Sequence, residues 1–266
     1  MTQDRAKTLR ALFQGFCKAL VEAIFPSKCL ICDAFDDWQP MGERDAPDRL
    51  ACLTAPYFCA SCQSRMTGIA SPFCSRCGLP FVSREGEDHP CSECLLERKS
   101  FRKARAFGVY EGSLMEAIHR FKYARRTSLS RPLSALTKDT FCRFWGPGAV
   151  DLLIPVPLHI KRLRERGFNQ AYLLIRRWAK LEKIVCDPFS LVRTRWTEPQ
   201  TSLSRKERKK NMRHAFAVSH RERIEGQRIL LVDDVYTTGS TANECARVLM
   251  EAGAEWVDLL TLARAV

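Results

Sequence analysis

The chain has no run of about 18 uncharged apolar residues, so its sequence predicts no membrane-spanning helix and no stable membrane insertion. An export signal is also missing. Leu9, Leu12, Phe13, Phe16, Leu20 and Ile24 recur at helical spacing. Lys18 and Glu22 interrupt that run, and Phe25-Pro26 follows where a small-residue cleavage site would be needed. Residues 1–26 are therefore expected to form an amphipathic helix packed on the protein, and the cytoplasm is the expected location. The absence of G-x-x-x-x-G-K-[ST] excludes a P-loop ATPase. No repeat of solenoid type is present; the one recurrence is a C-x-x-C unit. Acidic residues are in the minority, 30 against 43 Lys and Arg, for a net charge of +13. The excess is clustered. Ten Lys or Arg fall between Arg193 and Arg223 against Glu198, Glu207 and Glu222, and Lys161, Arg162, Arg164 and Arg166 form a second group. Two more span Arg98–Arg105 and Arg120–Arg131. Such surfaces suit phosphates, of nucleic acid or of a small molecule. Any one cluster read alone is also compatible with a solvated face.

What the sequence does have is a break in texture near Ser100–Lys103. Before it, Cys, Pro and Ser dominate with little periodicity, and residues 36–56, with four aspartates, read as an irregular insertion. After it, strand and helix patterns alternate. Strands are expected at Ala104–Tyr110, Asp151–Pro157, Phe189–Arg193, Ala215–Ser219, Arg228–Val232 and Trp256–Leu262. Helices are expected at Leu114–Phe121, Leu129–Phe144, Arg162–Leu181, near Arg205–Met212 and at Ser240–Glu251, with Gly253 as the residue past the last helix end. This order predicts an α/β fold with a mostly parallel sheet.

The 13 cysteines include four C-x-x-C units: Cys29/Cys32, Cys59/Cys62, Cys74/Cys77 and Cys91/Cys94, with spacers of 26, 11 and 13 residues. Two intervening residues let both thiolates of a unit reach one metal, and tetrahedral zinc takes two such units. Eight ligands predict two closed, structural zinc sites with no open position for catalysis. A segment this small and poor in core would need the metal to fold. Pairing of neighbouring units is preferred, and interleaved pairing stays open. Gly78, and Asp33 at the matching position, suit the sharp turn of a zinc knuckle. A thioredoxin-like C-x-x-C normally comes singly, beside a βαβ unit. Cys17, Cys52, Cys142, Cys186 and Cys245 fall outside the pattern and are expected to be small buried hydrophobes.

The segment Ile229-Leu-Leu-Val-Asp-Asp-Val-Tyr-Thr-Thr-Gly-Ser-Thr241 carries the strongest chemical signal. An apolar strand ends in two carboxylates, then a loop of hydroxyls and one glycine leads into a helix. Backbone N–H groups and hydroxyls at a helix N-terminus bind phosphate. Asp233 and Asp234 nearby can accept hydrogen bonds from a vicinal diol, so a sugar phosphate would satisfy both halves. Simple helix capping needs one such residue rather than four.

This segment resembles the phosphoribosyl pyrophosphate (PRPP) motif of type I phosphoribosyltransferases. Further stretches resemble the ComF family: Leu153-Ile-Pro-Val-Pro-Leu-His159, Arg162-Leu-Arg-Glu-Arg-Gly-Phe-Asn-Gln170, Arg193-Thr-Arg-Trp-Thr-Glu-Pro-Gln200 with Leu203, Arg208, Asn211 and Phe216, and His119-Arg-Phe-Lys-Tyr123. The likeness runs from about Phe25 to the end. It implies a double zinc ribbon over residues 27–100 and a phosphoribosyltransferase-like domain over 101–266. It also implies that Asp233 and Asp234 bind ribose hydroxyls and that Thr237, Thr238, Gly239, Ser240 and Thr241 hold the 5′-phosphate. The loop with Pro157 and Leu158 would hold pyrophosphate, with Arg162 and Arg166 beside it. Thr194–Arg213 would be a mobile flap, and Mg²⁺ would arrive with PRPP. Three functions fit: phosphoribosyl transfer to an unknown acceptor, handling of incoming single-stranded DNA with the DNA-uptake machinery in natural transformation, and PRPP sensing. No segment reads as a base-recognition hood or as a helix-turn-helix.

Overall fold

The structure is a computed structural model that describes residues 28–35, 49–83, 85–124, 126–196 and 212–266. Short helices α1 (Arg49–Thr54), α2 (Ala60–Ser64) and α3 (Ser92–Leu96) belong to the cysteine-rich part. There follow β1 (Ala104–Val109), α4 (Gly112–Tyr123), α5 (Ser130–Phe144), β2 (Leu152–Pro155), α6 (Ile160–Arg166), α7 (Gln170–Leu181), β3 (Val185–Cys186), β4 (Leu191–Arg193) and β5 (Phe216–Val218). The chain closes with β6 (Arg228–Tyr236), α8 (Ser240–Glu251) and β7 (Trp256–Arg264). Five strands form one parallel sheet in the order β1-β7-β6-β2-β3, while β4 and β5 make a separate antiparallel ribbon. Strands β2 and β6 are apolar at successive positions because both faces of the sheet are covered. The chain leaves β2 toward β3 but leaves β6 toward β7, so the direction of winding reverses between β2 and β6. In open parallel sheets that reversal opens a crevice at the carboxyl ends of the strands, where ligands bind.

Alternation along the strands splits the core in two. Leu230, Val232, Leu260 and Leu262 pack under α4, α5 and α7 with Leu114, Phe121, Leu133 and Trp178. Ile229, Leu231, Val257 and Leu259 pack under α8 with Ala242, Cys245 and Leu249. Each cysteine cluster joins one of these cores. Cys29, Cys59, Cys62 and Phe58 belong to the first, and Cys74, Cys77, Cys91, Cys94 and Phe101 to the second. Between the clusters the chain wraps edge strand β1: Gly68 bridges Gly108, Ile69 N donates to Phe107 O and Val109 N to Thr67 O. A Cβ on Gly108 would lie 2.6 Å from Thr67 O, so glycine permits the close approach. The strand's outer edge is thereby paired rather than left as an open template. Ribbon and α/β unit therefore share their cores, because the ribbon supplies apolar area to both faces of the sheet.

Other expectations need correction. The single helix over Arg162–Leu181 is two, α6 and α7. Gly167 ends the first at φ 84°. Asn169 caps the second, its Oδ1 accepting from Tyr172 N at 3.3 Å. Strand β6 runs past Val232 through both aspartates to Tyr236, held by continuous pairing with β7. Within the supposed irregular insertion, Arg49–Thr54 is helical because it packs on α5, where Arg49 pairs with Asp139. Of the unpaired cysteines among the described residues only Cys245 is fully buried, while Cys52 and Cys142 are exposed and Cys186 is intermediate. Cys142 sits on the solvent side of α5, which explains its exposure without any packing role. The predicted 1–26 helix, Cys17 and the helix near Arg205–Met212, apart from Met212, lie outside the described residues.

Candidate functional site

The cysteines gather as neighbouring pairs. Cys29, Cys32, Cys59 and Cys62 form one cluster and Cys74, Cys77, Cys91 and Cys94 the other, with all sulfurs of a cluster within 4.8 Å of one another. The Cys32–Cys59 and Cys77–Cys91 sulfurs are each 3.7 Å apart. Four thiolates about 2.3 Å from one zinc would stand about 3.8 Å apart, so the donor set fits a tetrahedral ion. The clusters repeat one backbone device. Cys29 Sγ accepts from Ile31 N and Cys59 N, each at 3.4 Å, and Cys74 Sγ accepts from Cys77 N and Cys91 N, each at 3.3 Å. Asp33 (φ 61°) and Gly78 (φ 67°) make the left-handed turn after each first unit. At position 78 a Cβ would meet Ala104 O at 2.7 Å, so the second knuckle lies directly on β1 and requires glycine. Asp33 instead keeps its carboxylate in solvent, bound by Arg126 and Arg120 at 2.6 Å each, which holds its pKa down at about 2.

At the carboxyl end of β6 the chain forms a small open recess lined by Asp233, Thr237, Thr238, Gly239, Ser240, Thr241 and Thr261. Gly239 caps α8 in the left-handed conformation at φ 74°. A Cβ there would lie 2.6 Å from Tyr236 Cζ, so any side chain would be strained and would have to displace that ring. Thr238 Oγ1 and Ser240 Oγ are 3.0 Å apart, and Arg264 Nη1 donates to Thr237 O at 2.8 Å, bracing the loop from β7. Hydroxyls, N–H groups of the first turn and the positive end of α8 converge on one space, the arrangement that holds an anion.

The two aspartates project to opposite faces, as consecutive strand residues must. Asp233 lines the recess on the α8 side, and its Oδ1 accepts from Asp234 N at 2.8 Å. Surrounding protein pushes its carboxyl up to about 7; the nearby Asp234 carboxylate adds to the rise, and Lys122 only partly offsets it. Asp234 is buried on the α4 side, 2.8 Å from Lys122 Nζ. Burial alone would lower the Lys122 pKa, but Asp234 and then Asp233 outweigh it, so the ammonium is held charged. Sequence reasoning gave Lys122 no role. Its signal was a lysine one residue beyond Phe121 and four beyond Ile118, among the buried positions of α4, where a charge needs a partner.

The loop after β2 lies beside this end of β6, tied by Val156 N donating to Val232 O at 2.8 Å. Pro157 in it is buried and Leu158 half-buried. Arg162 and Lys161 approach the ring of Trp196 at 5.8 and 5.6 Å, and the His159 ring meets it edge-on at 5.2 Å. Trp196 lies within the expected Thr194–Arg213 flap, of which residues 197–211 are not described. Arg166 points instead to the α4 side, 5.4 Å from the ring of Tyr123, where burial lowers its pKa and Asp234 counters. One turn apart on α6, Arg162 leans toward Trp196 and Arg166 toward Tyr123, close enough for their charges to repel. Arg193, also without an assigned role in the sequence, is desolvated within reach of the charges of Asp233 and Arg162.

A parallel sheet, a hydroxyl-rich loop at its winding reversal and two four-cysteine knuckles define a phosphoribosyltransferase fold bearing a double zinc ribbon. The phosphoribosyl transferase domain family matches residues 165–265 and the double zinc ribbon family residues 20–95. The chain belongs to the ComF family. It is 34% identical over 210 residues to the DNA utilization protein YhgH of Shigella flexneri, covering 77% of this chain and 89% of that one. Competence protein F of Haemophilus influenzae is 34% identical over 218 residues, 78% and 90% of the two chains. Competence protein ComFC of Bacillus subtilis is 30% identical over 245 residues, 89% and 94%. The ribbon match and the two clusters together support structural zinc. No helix among the described residues is long and apolar enough to cross a membrane.

Proposed function

We propose that this chain binds PRPP with Mg²⁺ in the recess above β6 and acts in the cytoplasm on incoming single-stranded DNA. The observation that carries the first half is the convergence of Thr237, Thr238, Gly239, Ser240 and Thr241 with Asp233 on one space at the start of α8. Thr238, Ser240 and Thr241 hydroxyls and the first-turn N–H groups would hold the 5′-phosphate. Asp233 would accept from the ribose diol. Asp234, neutralised by Lys122, would steady that strand end and take the second hydroxyl. Pro157 and Leu158 shape the pyrophosphate loop, with Arg162 and Arg166 as its cations. Mg²⁺ is a hard cation that keeps oxygen ligands. Asp233 fits it, since only Oδ1 is engaged by a backbone donor; most ligands would come from the pyrophosphate. Thr238→Val removes one donor to a charged oxygen, worth ~1.5–3 kcal/mol, so PRPP affinity should fall roughly tenfold or more. Unchanged affinity in calorimetry would count against the loop as phosphate site.

The second half draws on the relatives' names, DNA utilization and competence proteins, and on the net charge of +13. Single-stranded DNA should bind weakly through the 161–166 and 193–213 clusters. Neutralising about five phosphates would give log K against log salt a slope near −3.5. A flat salt response, or no binding at low salt, would remove DNA from the account. Phosphoribosyl transfer is the second reading. The Asp233 carboxyl, at about 7, is poised to take a proton near neutral pH. Carboxylates near the sugar would also stabilise positive charge building on the ribose. Pyrophosphate release with a panel of bases and amines tests it.

A further inference from the structure

We propose that Tyr110, His119 and Tyr123, with Arg166 beside them, form a stacking site for a nucleobase. The inference rests on reading the neighbouring recess as a sugar-phosphate site. Helix α4 buries Leu114, Ala117, Ile118 and Phe121. His119 and Tyr123 lie one turn apart off that face, and both are exposed, Tyr123 by 65%. Their rings are 5.7 Å apart, and Tyr110, at the end of β1, stacks on His119 at 6.3 Å with its hydroxyl 2.9 Å from His119 Nε2. An i, i+4 ring pair contributes only ~0.2–0.5 kcal/mol to a helix, too little to explain two aromatic rings kept in solvent beside the half-buried Tyr110.

Position and charge point to a ligand. The rings stand at the carboxyl end of the sheet, one residue from Lys122 and hence from Asp234 on the α4 side of β6. The recess opens on the other side of the same strand end. A ribose over β6 would thus have phosphate groups on one side and ring faces on the other. Arg166 is half-buried above Tyr123, yet makes no hydrogen bond and no salt bridge among the described residues. Its unused guanidinium donors suit the edge of a base or a bridging phosphate. Exposed rings flanked by arginine are how sequence-tolerant single-strand sites hold bases.

The test compares a thymidine hexamer with an abasic hexamer of equal charge, by fluorescence anisotropy on the full chain. Stacking worth ~1–3 kcal/mol per base predicts roughly tenfold tighter binding of the base-bearing strand. Tyr123→Ala should bring the two strands to equal affinity, and Tyr123→Trp should restore the difference. Tyr123 is exposed, so neither variant should disturb folding. Competition by thymidine monophosphate at a comparable Kd assigns the site to free nucleotides; its failure to compete assigns it to a strand. Equal binding of both hexamers by the unaltered protein, or a base preference that survives Tyr123→Ala, overturns the proposal. PRPP titrations on the same samples keep the readings apart. PRPP binding without base preference sinks the platform alone, and base preference without PRPP binding sinks only the recess reading.

Discussion

Chelating zinc from the protein, or replacing Cys74 with serine, is expected to unfold the α/β unit together with the ribbon. Cys74 is fully buried and its sulfur accepts from two backbone N–H groups. Arg76 O in the same knuckle accepts from Ala104 N at 2.7 Å, and Arg105 Nη1 donates to Ser75 O at 3.0 Å, so the knuckle grips the first strand of the sheet. On the opposite face Asp33 ties the first knuckle to Arg120 and Arg126 at the end of α4. A structural zinc site contributes ~10–16 kcal/mol to folding, comparable with the whole stability of a domain, about 5–15 kcal/mol. Losing it uncovers Phe101, Ile229 and Leu231 on one face, or Phe58, Leu114 and Phe121 on the other. Each large apolar side chain returned to water forfeits ~1.5–3 kcal/mol. The check is a chelator titration with released zinc, far-ultraviolet circular dichroism and tryptophan fluorescence read together. Close to two zinc per chain and one shared transition are expected. A helical signal that survives complete zinc release would show that the α/β unit stands alone.

Asp233→Asn should stabilise the fold at pH 8 while abolishing tight PRPP binding. The Asp233 carboxyl is raised to about 7 in the folded chain against an ordinary value of 3.8. A raised carboxyl favours folding fully below its unfolded pKa, and that contribution is lost as pH rises through about 7. Above that pH the folded state carries a charge it disfavours. Each pH unit between the two values is worth 1.36 kcal/mol, so relieving the charge is worth on the order of a few kcal/mol. For a chain of this size that raises Tm by about 5 °C or more. At pH 4 the two proteins should melt within about a degree of each other, because the native carboxyl is already neutral. Thermal melts at the two pH values decide it. A variant less stable than the parent at pH 8 would mean that Asp233 is structural. Gain of stability with loss of ligand is the mark of a strained functional site.

How much of this was legible in the sequence follows from the range of each interaction. The Cys-x-x-Cys units and the Ile229–Thr241 segment are local patterns, and β6, its loop and α8 follow from them because strand, turn and helix lie in one stretch. The break between α6 and α7 was also local, marked by Gly167 and Asn169, but the amphipathic pattern on both sides hid it. The two-residue strand β3 carries too few residues for any period to show and exists through its pairing with β2. The shared core could not be read in advance. It depends on where residues 67–69 cross β1, a close approach that Gly108 permits. Likewise Lys122 meets Asp234 across 112 positions of sequence, and Arg166 meets the ring of Tyr123 from a distant helix. Sequence reasoning named residues that the fold gathers around one recess and left the α4 side of that strand end unassigned.

The central claim is that the recess between Asp233 and Thr241 is a PRPP site. Isothermal calorimetry of the zinc-loaded chain with PRPP and Mg²⁺ tests it most directly. The account predicts saturable, Mg²⁺-dependent binding with a Kd well below about 1 mM, weakened at least tenfold by Thr238→Val and lost in Asp233→Asn. No heat and no thermal shift at millimolar PRPP, from protein that is folded and carries its zinc, would contradict it.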